Sequence, residues 1–112
     1  MNFSVLKYGS YTCITVSNEK LDAMMAPDIK AELAGIIGNG ERNILVDLTG
    51  CSYCDSSGLS ALLLGNRLCK NANGSFVLFG LTPPVKGMID LIGFESVLKV
   101  AESREAARQL LL

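Results

Sequence analysis

The run Asp55-Ser56-Ser57-Gly58-Leu59 sets a carboxylate, two hydroxyls and a glycine between two apolar stretches, Ile44-Leu45-Val46-Asp47-Leu48 before it and a leucine-rich segment after it. With the first stretch as a strand and the second as a helix, these residues stand at a helix N-terminus near the surface. Free backbone N–H groups and the helix dipole favour negative charge there, so the position suits a phosphate. Ser, Thr and Asp are also the side chains that best cap such a terminus. On local chemistry alone, a structural cap and a modifiable serine both remain open.

A second constellation is Cys51-Ser52-Tyr53-Cys54, which has the spacing of half a zinc site or of a dithiol redox pair. Cys13 and Cys69 stand alone and form no second pair of that spacing. Redox pairs of this kind usually open a helix, whereas this one precedes the turn. Buried filler is the ordinary use of such cysteines, with redox sensitivity and metal binding as the alternatives. The chain has no histidine. That removes the usual general base, the Ser-His and Cys-His nucleophile arrangements, and the commonest zinc ligand. No Walker-type glycine loop is present either, so an independent enzyme or nucleotide-binding protein would have few residues to work with. No catalytic residue, cofactor or metal is expected.

The elements that must position these groups follow from patterning. At 112 residues with 49% hydrophobic content, the chain is expected to form one domain over residues 1–112 with a core of its own. Ten basic and eleven acidic residues, without long runs, leave no footprint for nucleic acid and no polybasic membrane segment. No charged segment leads into an apolar stretch at the start, and no run approaches the roughly eighteen apolar residues that span a bilayer. A cytoplasmic protein without direct membrane insertion is expected.

Phe3 to Lys7 and Tyr11 to Ser17 are rich in Val, Ile, Thr and Tyr and flank a Tyr8-Gly9-Ser10 break, which predicts an antiparallel hairpin. A polar loop from Asn18 to Met25 follows. Pro27 suits a first helical turn, and Ile29, Leu33, Ile36 and Ile37 recur at helical spacing up to Gly38 and Gly40. Ile44 to Leu48 and Phe76 to Phe79 are almost continuously apolar, as central parallel strands are. Between them Ser57 to about Lys70 predicts a helix whose Leu59, Ala61, Leu62, Leu63, Leu64, Leu68 and Cys69 exceed one apolar stripe, leaving part of it to a partner or to covering loops. Thr82-Pro83-Pro84 opens a further helix that Gly93 closes, Val97 to Val100 predicts a short last strand, and a final amphipathic helix runs from Ser103. The order β-β-α-β-α-β-α-β-α predicts an α/β fold: a mixed, mainly parallel sheet of four or five strands with an N-terminal hairpin, and helices mostly on one face.

Over nearly its full length the chain resembles the STAS domain family, and within it the stand-alone bacterial anti-sigma factor antagonists. The resemblance is most specific in Ile44-Leu45-Val46-Asp47-Leu48 followed by Cys54-Asp55-Ser56-Ser57-Gly58-Leu59. Leu21-Asp22 with Ala26-Pro27, Gly74-Ser75-Phe76-Val77-Leu78, and Thr82-Pro83-Pro84-Val85 through Gly93-Phe94 are similar at the expected separations. The chain departs from the family in lacking a glycine shortly before Leu21-Asp22, and in carrying Cys51 and Cys54 where plain hydrophobes are usual. The resemblance implies a signalling module, monomeric when free, that binds a serine-kinase anti-sigma factor and so releases a sigma factor, until phosphorylation of the first serine of the turn blocks binding. By position that serine is Ser56, and a serine phosphatase would reverse the modification. The implied partner-binding residues are Asp22, Asp55, Ser57, Gly58 and Leu59 around the turn, with Leu63 and Leu64 on the helix behind it. The alternative within the resemblance is a soluble STAS subunit of a membrane ABC lipid transporter, whose turn is not phosphorylated.

Overall fold

The computed structural model describes residues 3–111, apart from the side chain of Glu95. Two strands, β1 (Phe3–Lys7) and β2 (Thr12–Val16), form the expected hairpin, closed by a Tyr8 N–H bond to the Tyr11 carbonyl at 2.8 Å. A two-residue strand, β3 (Lys20–Leu21), lies inside what patterning predicts to be a plain polar loop. Helix α1 (Ala26–Gly38) buries Ala26, Ile29, Leu33 and Ile36, the three- and four-residue spacing that puts them on one face. Strand β4 (Ile44–Asp47) leads through a second two-residue strand, β5 (Tyr53–Cys54), into α2 (Ser56–Asn71). There follow β6 (Phe76–Phe79), α3 (Pro83–Ile92), β7 (Lys99–Ala101) and α4 (Arg104–Leu110). Helix α3 stops where Gly93 turns left-handed at φ 83°, a conformation open to glycine at no steric cost.

The main sheet has the order β1-β2-β4-β6-β7, with only the β1–β2 pair antiparallel. Its two faces separate by alternation along each strand. Ile14, Val16, Ile44, Val46, Leu48, Phe76 and Leu78 face one side, where they pack with α1, α2 and α3. Cys13, Leu45 and Val77 face the other and meet Ala107 and Leu111 at the short C-terminal helix. Three of the four helices therefore cover one face, and the continuous apolar runs of β4 and β6 reflect burial on both sides.

The last residue of β4, Asp47, points to the sparsely covered face and is buried. Its Oδ1 accepts from the Thr49 N–H at 2.9 Å and the Thr49 hydroxyl at 2.6 Å, and its Oδ2 meets Arg104 Nη2 at 2.7 Å. The Arg104 guanidinium also lies 5.4 Å from the centre of the Phe79 ring. This carboxylate anchors the start of α4 to the sheet through charge-assisted bonds.

Helix–sheet packing is closest where α2 crosses β6. A Cβ on Gly65 would lie 2.4 Å from Phe76 Cε1, whereas one on Gly35, in mid-α1, would meet nothing within 4 Å. Two glycines in helices are thus expected to respond with opposite signs to the same change. Gly35→Ala should stabilise the domain by about 0.5–1 kcal/mol through helix propensity. Gly65→Ala should destabilise it by about 1–3 kcal/mol, because Phe76 must leave its place in the core. Urea denaturation of both variants checks the pair.

Candidate functional site

From β4 the chain turns at Thr49 and Gly50 and crosses the end of the sheet. The Cys51 N–H bonds the Leu48 carbonyl at 2.9 Å, and the Cys51 carbonyl accepts the Thr82 hydroxyl at 2.8 Å, which ties the crossing to the head of α3. Strand β5 then pairs in parallel with β3, Lys20 opposite Tyr53 and Leu21 opposite Cys54. The Ser52 and Tyr53 N–H groups both reach the Glu19 carbonyl, at 2.8 and 3.0 Å. This small ladder brings the Asp22 loop beside the turn that opens α2. Its two strands are too short to leave a period in the sequence, which is why patterning shows only a loop there.

At the turn Asp55 is the helix cap. Its backbone is extended, with φ −98° and ψ −173°, and Oδ1 accepts the Gly58 N–H at 2.9 Å. Ser56 occupies the first helical position and is exposed, and its hydroxyl has no hydrogen-bond partner among the described residues. The two readings of the local sequence are thus divided between neighbours: the capping role falls to Asp55 and leaves the Ser56 hydroxyl free. Ser57 is half-buried. Gly58 faces inward, where a Cβ would stand 2.1 Å from the Leu21 carbonyl oxygen. Leu59 is 2% exposed and belongs to the core. Both shape the turn from beneath and present no side chain to a partner, unlike the surface role expected for them.

Asp22 is half-buried across the small ladder. Its Oδ1 accepts the Met24 N–H at 3.1 Å, and its carbonyl accepts the N–H groups of Met25 and Ala26 at 3.1 and 2.8 Å. This local turn closes the loop without the glycine usual before Leu21-Asp22. The turn is therefore flanked by two carboxylates, each holding a backbone N–H. Two exposed apolar side chains, Met24 and Tyr53, adjoin it, and sequence reasoning does not single them out. Met24 lies within a polar loop and Tyr53 within the cysteine pair, so neither belongs to an apolar pattern.

Along α2, Ser56, Ser60, Leu63 and Arg67 follow one another at helical spacing on the outward side, with Leu64 on its flank. Leu63 and Leu64 are half-buried, and Leu63 packs against the rim of the core. The excess of leucine in this helix resolves into a buried face of Leu59, Ala61, Leu62 and Cys69 and a partly open shoulder.

All four cysteines are free and buried. Cys51 Sγ donates to the Tyr53 carbonyl at 3.2 Å and Cys54 Sγ to the Asp55 carbonyl at 3.5 Å. Burial pushes the Cys51 thiol up, and burial, with the neighbouring Cys51 and Asp55 charges, pushes Cys54 up to about 12. Both stay protonated thiols at neutral pH, the form that neither attacks a disulfide nor binds a metal well. Among the described residues no group of three or more His, Cys, Asp or Glu side chains could hold a metal ion, and no helix is long and apolar enough to cross a membrane.

The family model described as "Mlab, STAS domain" matches residues 12–100. BtrV of Bordetella bronchiseptica, named as an anti-sigma factor antagonist, is 39% identical over 82 residues, covering 73% of this chain and 71% of BtrV. The anti-sigma-B factor antagonist of Staphylococcus epidermidis is 24% identical over 106 residues, covering 94% of this chain and 96% of the relative. Among solved structures, an anti-sigma factor antagonist from Mycobacterium paratuberculosis superposes with a TM-score of 0.85 at 16% identity, covering 97% of this chain and 92% of that one. The anti-sigma factor antagonist SpoIIAA in its unphosphorylated form superposes with a TM-score of 0.75 at 21% identity, covering 92% and 90%. On the matched family model and the identity to BtrV, the chain belongs to the STAS domain family and groups there with anti-sigma factor antagonists.

Proposed function

We propose that this chain is an anti-sigma factor antagonist whose unmodified Ser56 turn binds an anti-sigma factor of the serine-kinase type, releasing a sigma factor, and whose phosphorylation on Ser56 ends that binding. The observation that carries the reading is the free Ser56 hydroxyl at the first position of α2, beside an Asp55 that already caps the helix. A kinase can reach that hydroxyl without disturbing the fold. A phosphate there adds roughly −1.5 to −2 charges at a helix N-terminus, where the dipole tolerates it. It leaves the fold in place and changes the surface. The half-buried Asp22 and Asp55 flank it, and a partner that sets an apolar or acidic patch against the turn would lose several kcal/mol of affinity to the desolvation and repulsion of the phosphate. The contact surface comprises Asp22, Asp55 and Ser57 at the turn with Leu63 and Leu64 on the shoulder of α2. Gly58 and Leu59 support it from the core. A binding module without catalysis of its own, working in the cytoplasm and opposed by a serine phosphatase, completes the proposal.

A second reading, a soluble subunit of a membrane lipid transporter, shares only the STAS domain itself with the matched family model. The identity to BtrV over most of both chains weighs more, and the free hydroxyl has no use in a subunit that is not phosphorylated.

Incubation of purified variants with ATP and the cognate kinase, followed by peptide mapping and calorimetry before and after, separates the two. Ser56→Ala should resist modification, bind the kinase, and keep its stability within about 0.5 kcal/mol, since Asp55 is the cap. Asp55→Ala should lose about 1 kcal/mol or more of stability for the same reason. Ser56→Asp should fold and bind poorly, and Ser57→Ala should still be phosphorylated on Ser56. Leu64→Asp should retain its circular dichroism while losing at least about tenfold in affinity, the cost of a charge at a contact rather than in a core. Phosphate found on Ser57, or equal affinity of the modified and unmodified forms, transfers the weight to the transporter subunit.

A further inference from the structure

The main sheet ends on one side at β7, three residues long, and on the other at β1, five residues long. In the β1–β2 hairpin, Tyr8 and Tyr11 form a hydrogen-bonded pair, and the register continues through Lys7–Thr12, Leu6–Cys13, Val5–Ile14, Ser4–Thr15 and Phe3–Val16. Bonded and non-bonded pairs alternate along an antiparallel ladder. Leu6 and Ser4 therefore exchange bonds with β2, while Phe3, Val5 and Lys7 turn their N–H and C=O groups away from it. Thr12 agrees with this assignment, because its own N–H turns to the opposite side and bonds the Asn43 carbonyl at 2.9 Å. The outward groups of β1 are thus spaced evenly about Val5.

Open edges are usually protected by charge, proline, bulges or a covering element. The one charged residue of β1, Lys7, is held by Glu41 of the same chain, with Nζ 2.7 Å from Oε2. Val5 is 38% and Leu6 58% exposed, one on each face of the sheet. We infer that this edge pairs with its own copy: β1 lies antiparallel to β1 of a second chain about a two-fold axis at Val5, joining the two sheets. Val5 then faces Val5, and Phe3 faces Lys7 in both directions, each pair exchanging its outward hydrogen bonds. Leu6 lies opposite Ser4 of the other copy and diagonal to its Leu6, within reach of contact. A second copy is the occupant because the pattern reads the same from either end, which is the requirement of an isologous interface. A single strand edge buries well under the roughly 1,200 Å² of the smaller stable complexes, so the expected dissociation constant is on the order of 0.1 mM. The chain is a monomer at micromolar concentration and a dimer where it is concentrated. The strand that leads to the Ser56 turn, β4, is two places in from this edge, so the inference stands apart from the phosphorylation switch.

Sedimentation equilibrium over about 10 µM to 1 mM reads the association directly. Val5→Pro removes an outward N–H and none that bonds β2, and Val5→Lys opposes two like charges at the axis. Each is expected to weaken the dimer at least tenfold, with the circular dichroism of the monomer retained by Val5→Lys even if proline perturbs the hairpin. Amide exchange at high against low concentration supplies an independent check. Exchange should slow at Phe3, Val5 and Lys7, and stay unchanged at Ser4 and Leu6, whose N–H groups are already bonded within the chain. A chain that stays monomeric at 1 mM, a dimer that Val5→Lys leaves intact, or slowing without this alternation overturns the inference.

Discussion

There is no room for a side chain where Gly58 meets the Leu21 carbonyl, and the candidate site is built around that contact. A Cβ at 2.1 Å from a backbone oxygen could not be relieved by turning a side chain; the whole strand pair would have to separate. With glycine present, β3 and β5 close against the first turn of α2, and the Asp22 loop is held against Asp55. One close approach thus converts two loops distant in sequence into a single acidic surface around Ser56. Asp55 completes it by taking over the capping of α2, which frees the neighbouring hydroxyl for chemistry.

The sheet behind this surface is stabilised unevenly. Three helices and a large core cover one face, whereas the other relies on a seven-residue helix and the Asp47–Arg104 pair. Asp47 is buried at the carboxyl end of β4, so its three hydrogen bonds offset the cost of taking a carboxylate out of water. The same residue turns the chain out of the sheet through Thr49 and towards the Cys51–Cys54 crossing. A group that anchors the C-terminal helix therefore also sets the direction from which the chain approaches the turn.

Much of this was legible in the residues, where long apolar runs or helix boundaries carried the signal. The β4 and β6 runs, the Pro83–Ile92 helix and the hairpin fall where hydrophobic continuity, proline and glycine place them. The Asp-Ser-Ser-Gly turn was visible too, but not which residue caps and which is free, since both types satisfy a helix N-terminus equally well. The β3–β5 ladder was not visible, because two-residue strands have no period and their partners are more than thirty residues apart. Leu59 illustrates a different gap: adjacency to Ser56 in sequence suggests a contact surface, yet helical rotation carries it into the core. Met24 and Tyr53 show the converse, apolar side chains that only the folded loops reveal as exposed.

The four buried thiols have one more consequence. They fall in three structural neighbourhoods: Cys13 on the thinly covered face of the sheet, Cys51 and Cys54 beneath the turn, and Cys69 near the end of α2, where burial pushes its thiol up to about 11. An enclosed thiol reacts with alkylating reagents only when its surroundings open. The chain therefore carries its own set of chemical clocks, and the rate at which each cysteine is labelled reads out how often that particular region breathes, without a probe being added to the molecule.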